Sequence, residues 1–125
     1  MRLLKVIVLL LSTLLATQSF SETRLMIVEE EGCPWCARWN AEVGDVYAIT
    51  EEGRAAPLWR HDIHDPAPTG VTFVSPPHFT PTFIILVDGI EVNRIEGYPG
   101  EGFFWGLLEI ILADLPETGG KPSGS

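Results

Sequence analysis

Apolar and polar residues fall in short blocks that mark out the elements of the chain. Leu25-Met26-Ile27-Val28 is an unbroken apolar run of strand length, and it ends in Glu29-Glu30-Glu31-Gly32. Beyond it Cys36, Trp39, Val43 and Val46 or Tyr47 recur at steps of three and four, the stripe of a helix with one buried face, closing near Gly53. Leu58-Trp59-Arg60 offers a second short strand, which makes this opening half a βαβ unit with a parallel pair. Residues 61–77 contain Pro66, Pro68, Pro76, Pro77 and Gly70 and read mostly as loop, extended over 71–74. The pattern turns strand-like again over 82–87. Asp88-Gly89 is a two-residue hairpin signal, and 90–95 returns antiparallel. Phe103 or Phe104, Leu107 or Leu108, Ile111 and Leu115 then predict a last helix, stopped by Pro116. The expected fold is α/β: a compact β-α-β plus β-β-α arrangement, its mixed sheet flanked by helices.

The first twenty residues have another pattern. Arg2 and Lys5 precede the apolar stretch 6–11 with Leu14 and Leu15, and Ser19-Phe20-Ser21 is a small-x-small triplet, so residues 1–21 predict a signal peptide cleaved after Ser21. The alternative is an uncleaved anchor over 2–20, diluted by Ser12, Thr13, Thr17, Gln18 and Ser19. The single domain then covers 22–115. Residues 116–125, with Gly119, Gly120, Pro122 and Gly124, predict a disordered tail.

Composition narrows the function classes. A chain of 125 residues with 46% hydrophobic content closes one core and is not intrinsically disordered. Eight basic residues face 17 acidic ones, for a formal charge of −9, and losing Arg2 and Lys5 with the leader takes this to −11. Such a surface repels phosphate backbones, so nucleic acid is not an expected partner.

Two cysteines in an exported protein ordinarily bridge distant segments, but Cys33 and Cys36 lie within Gly32-Cys33-Pro34-Trp35-Cys36. A bridge between them closes a tiny loop and constrains little of the unfolded chain, so a structural role is poorly served. With Cys33 as N-cap, Pro34 takes the first helical position, where its missing N–H is harmless. The N–H groups of Trp35 and Cys36 then point at the Cys33 sulfur and favour its thiolate. Cys36, on the apolar stripe one turn on, is the natural resolving thiol, and the pair predicts thiol–disulfide exchange. A second class is metal binding, since Cys33, Cys36, His61 and His64 supply two thiolates and two imidazoles suited to zinc or copper. Against it, histidines three apart on an extended segment point to opposite faces. His78, two residues before Thr80, borders the same region. A third reading is a binding module with inert cysteines.

The order of elements, with Cys33-Pro34-Trp35-Cys36 at the first strand-to-helix junction, Thr80-Pro81-Thr82 entering the third strand, the Asp88-Gly89 hairpin and Gly97-Tyr98 before the last helix, resembles the thioredoxin superfamily over nearly the whole of 22–115. The resemblance implies a thiol–disulfide oxidoreductase without a cofactor, acting on a protein disulfide or dithiol. It implies a cis Pro81 opposite the cysteines, with the backbone of Thr80 pairing with the substrate. Two departures stand out. Thioredoxins proper carry a buried acid where this chain has Ile27, which leaves Glu29, Glu30 or Glu31 to handle protons directly or through water. Pro34-Trp35 replaces the usual Gly-Pro and is similar to glutaredoxins and some periplasmic isomerases, so these two residues are expected to tune the reduction potential. The absence of a dimerisation domain resembles monomeric accessory periplasmic thioredoxins, reductases or isomerases that draw electrons from a membrane-embedded donor. Residues 94–105 are similar to small members accompanying bacterial sulfur-oxidation systems.

Overall fold

The computed structural model describes residues 21–116. The signal peptide expected over 1–21 and the disordered tail expected over 116–125 therefore lie, but for their inner ends, outside the described residues. The elements run β1 (Thr23–Glu29), α1 (Pro34–Trp39), a π-helical segment (Asn40–Gly44), α2 (Asp45–Tyr47), α3 (Glu51–Ala55), β2 (Leu58–Asp62), β3 (Thr82–Val87), β4 (Ile90–Glu96) and α4 (Glu101–Ala113).

The four strands form one mixed sheet in the order β2-β1-β3-β4. β1 pairs parallel with β2 and antiparallel with β3, and β3 pairs antiparallel with β4. The run Leu25–Val28 is apolar throughout because both faces of β1 are covered. Leu25 and Ile27 point, with Phe83 and Ile85, into a cluster holding Trp39, Val43, Tyr47, Phe104, Leu108 and Ile111 from the helices. Met26, Val28, Ile84 and Leu86 face the other way, onto Trp59, Ile63, Val71 and Phe73. The second face is thus covered largely by the segment between β2 and β3, which joins β4 through an isolated bridge from Thr72 to Ile90.

One element differs from expectation. The helix predicted to close near Gly53 is interrupted, because Thr50 leaves the helical region at φ −87°, ψ 163°. Its hydroxyl donates to the Tyr47 carbonyl at 2.7 Å and accepts from the Gly53 N–H at 3.0 Å, which ends one helix and caps the next. Before that break, Trp39, Val43 and Tyr47 follow one another at steps of four. In an α-helix such steps drift by about 40° each, and the wide π turn over Asn40–Gly44 absorbs the drift and keeps all three in the core. In α4 the two open choices resolve to Phe104 and Leu108, while Phe103 and Leu107 are exposed.

Candidate active site

The strand register gathers the site at one end of the sheet. Val28 lies opposite Thr82, Glu29 opposite Asp62, and Thr82 opposite Glu96. The chain leaving β1 toward Cys33, the Thr80–Pro81 approach to β3 and the Gly97-Tyr98 turn after β4 therefore share that end. Gly97 N–H donates to the Pro81 carbonyl at 2.8 Å, joining the last two, and the Thr80–Pro81 peptide is cis.

Cys33 is the N-cap of α1, at φ −76°, ψ 112°, with Pro34 in the first turn. Its backbone N–H bonds the Glu30 carbonyl at 3.2 Å in a turn that passes through Gly32 at φ +80°. The Cys36 N–H donates to the Cys33 sulfur at 3.1 Å. The two cysteines form a disulfide across a Cα–Cα distance of 5.3 Å. They are unequal: Cys33 is half-buried, whereas Cys36, on the inner face of α1, retains 3% exposure. Between them Trp35 stands 54% exposed, with the Arg38 guanidinium 5.6 Å from its ring centroid.

Two polar chains brace this motif, and neither is readable from spacing. In the first, Arg60 on β2 donates to Glu29 and to Asn40 Oδ1, each at 2.8 Å, while Asn40 Nδ2 donates to the Cys36 backbone carbonyl at 2.9 Å. The peptide after the buried cysteine is thereby tied to the sheet, at the turn where the helix widens. In the second, Arg38 donates to Glu42 at 3.0 Å and the Tyr98 hydroxyl donates to the same carboxylate oxygen at 3.2 Å. Burial, and then the hydrogen bond to Glu42, pushes the Tyr98 phenol up to about 12. Asn40 lies 20 residues from Arg60 and Glu42 lies 56 from Tyr98, and only the surface Arg38–Glu42 spacing of four residues carried a local signal.

Ile27, at the position of the acid found in thioredoxins proper, is fully buried among apolar side chains. Of the three glutamates expected near the motif, Glu29 pairs with Arg60 at 2.8 Å and Glu30 with His64 at 3.0 Å, while Glu31 is exposed. The metal alternative is not assembled. The two sulfurs are bonded to each other, His61 is buried with its ring 6.1 Å from that of Phe73, and His64 turns outward to Glu30. Among the described residues no group of three or more His, Cys, Asp or Glu side chains is placed to hold an ion. His78 is exposed, and Phe79 next to it is 61% exposed.

No family model matches the chain, and no curated protein matches it. Among solved structures, the periplasmic thioredoxin SoxS from Paracoccus pantotrophus, in its reduced form, is similar at 47% identity with a TM-score of 0.72, over 74% of this chain and 97% of that one. The chain belongs to the thioredoxin superfamily. Its mixed four-stranded sheet with flanking helices is a thioredoxin-like fold, and its Cys33–Cys36 pair makes it a thiol–disulfide oxidoreductase with protein disulfides as its class of substrate. No helix among the described residues of this thioredoxin-like domain is long and apolar enough to cross a membrane.

Proposed function

We propose that this protein is an exported reductase or isomerase in which Cys33 is the attacking thiol and Cys36 the resolving one. The carrying observation is the inequality of the two sulfurs: Cys33 caps a helix at the surface, and Cys36 is buried one turn behind it. Once the bridge is reduced, the Cys36 N–H and the start of α1 favour a thiolate on Cys33. That thiolate attacks one sulfur of a substrate disulfide. A bond forms from Cys33 to that sulfur, the substrate S–S bond breaks, and the departing sulfur leaves as a thiolate that takes a proton from water. Cys36 gives its proton to water and attacks the Cys33 sulfur, a Cys33–Cys36 bond forms as the mixed disulfide breaks, and the second substrate sulfur leaves as a thiolate. Two electrons have passed to the substrate, and the Cys33–Cys36 disulfide remains.

Thr80 and Pro81 form the substrate-binding edge in this reading, the Thr80 backbone pairing with the substrate chain. The position of β3's entry at the motif's end of the sheet supports it. Pro34 and Trp35 tune the potential, since one removes an N–H from the first turn and the other sets a bulky, exposed indole between the two cysteines. The protein works as a monomer in the periplasm, with residues 1–21 as its leader, 22–115 as the working domain and 116–125 as a tail. A membrane-embedded thiol donor restores the dithiol. The likeness to a periplasmic thioredoxin and the leader-like pattern of residues 1–21 support this location, and residues 94–105 favour service beside a bacterial sulfur-oxidation system.

Cys36→Ser, expressed in the native host, tests the assignment. It should arrest the mixed disulfide, so that mass spectrometry finds a protein joined to Cys33 through a bond that dithiothreitol cleaves. A properly exported variant that captures nothing on Cys33 overturns the reading.

A further inference from the structure

The rim around the half-buried Cys33 is built more firmly than a motif on a helix end requires. Trp35, between the cysteines, has its ring under the Arg38 guanidinium at 5.6 Å. Arg38 is held in turn by Glu42 at 3.0 Å, and Glu42 accepts the Tyr98 hydroxyl at 3.2 Å. Tyr98 follows Gly97, whose N–H bonds the Pro81 carbonyl at 2.8 Å. A continuous set of contacts therefore runs from the indole beside Cys33 to the cis peptide at the entry to β3. Tyr98 is buried and Glu42 half-buried, so the inner links are fixed, and Arg38 is the link that reaches out to the indole.

We propose that Arg38 is a positioning residue for the redox site, holding the Trp35 indole as an apolar platform that selects protein disulfides flanked by an apolar side chain. This rests on the oxidoreductase reading given above and adds a determinant of specificity to it. An unheld indole at a helix N-terminus samples several rotamers, and the order lost on binding lowers affinity. Stacking under a planar guanidinium that is itself fixed by a carboxylate removes that loss before the substrate arrives. Because the indole is already 54% exposed, the face it offers is one a substrate side chain can cover. A small disulfide, which carries no flanking side chain, does not use it.

The test uses the reduced protein and two disulfide-bridged peptides identical except for Leu or Gly beside the attacked cysteine, with hydroxyethyl disulfide, small and non-aromatic, as control. The wild type should reduce the Leu peptide with a kcat/KM at least about threefold above that for the Gly peptide. In Arg38→Gln this ratio should fall toward one through a raised KM for the Leu peptide, with the small disulfide's rate held within about twofold of the wild type. Trp35→Ala should also abolish the preference, and adding Arg38→Gln to it should change nothing further, as expected of two residues acting in series. A wild type without the preference, an Arg38→Gln variant that keeps it, or a double variant in which the losses add overturns the proposal. If the wild type reduces none of the three disulfides, the oxidoreductase reading falls as well, so the two failures are distinguishable.

Discussion

Cys33 and Cys36 differ in position by one helical turn, and their chemistry follows from that turn. The first sulfur receives the Cys36 N–H at the helix start and meets solvent, and the second is enclosed by the body of the domain. After reduction, iodoacetamide at neutral pH should therefore label Cys33 at least about tenfold faster than Cys36, read by peptide mass spectrometry, and equal rates would contradict the assignment of roles. A second residue-scale expectation concerns Tyr98. Its phenol is raised from the ordinary 10 to about 12, so folding favours the neutral form. The stabilisation is complete below pH 10 and is lost as pH rises through 10 toward 12, where the unfolded chain has already released the proton and the folded one has not. Tyr98→Phe should flatten the decline of urea stability over that interval, and an unchanged slope would show that Tyr98 does not contribute to it. The motif and the cis-proline region were legible in the sequence because each rests on adjacent residues. Asn40, Glu42, Arg60 and Tyr98 were not, because nothing local announces a hydrogen bond between residues 20 or 56 positions apart.

At the scale of elements, the segment between β2 and β3 stands in for a regular layer. It contributes Ile63, Val71 and Phe73 to the second core cluster, and an ion pair with a buried carboxylate and a half-buried guanidinium holds it in place. Glu91 on β4 accepts from the Val74 N–H and pairs with Arg94, which donates to the Ser75 carbonyl at 2.7 Å. The bond to Glu91 also keeps the Arg94 guanidinium protonated above its ordinary range. Glu91→Ala leaves the Val74 N–H without its partner and Arg94 with only the Ser75 carbonyl and Glu96, and should cost about 1–3 kcal/mol in urea unfolding, with faster amide exchange at Val74. A loss below about 0.5 kcal/mol would mean that water replaces the carboxylate without penalty. The helical break at Thr50 is the other element-level device. Gly53 is packed so closely on the Tyr47 carbonyl that an added Cβ has no room. Gly53→Ala should therefore destabilise the domain by about 1–3 kcal/mol, whereas in an uninterrupted helix the same change is stabilising, so the sign measured in thermal unfolding decides between the two.

For the molecule as a whole, the acidic excess sets a background against which the local pairs act. With a formal charge of −9 over the chain, self-repulsion opposes the compact state, and added salt screens it. The Tm in dilute buffer should rise as sodium chloride is raised from about 0.01 M to about 0.15 M, where the Debye length shortens from roughly 30 Å to 8 Å. A falling Tm would show that the surface pairs Arg60–Glu29 and Arg38–Glu42 outweigh the net repulsion.

The strands, the hairpin, the last helix and the redox pair are legible from local pattern, because periodicity, turn chemistry and a four-residue motif are all properties of neighbouring residues. Where the first helix breaks, which of Phe103 and Phe104 faces inward, and the parting of the two histidines, one buried beside Phe73 and the other turned to Glu30, follow instead from long-range packing. It also decided what stands around Cys33. The reason is physical: those outcomes depend on which distant side chain arrives to fill a space or accept a hydrogen bond, and that is settled when the strands bring their ends together.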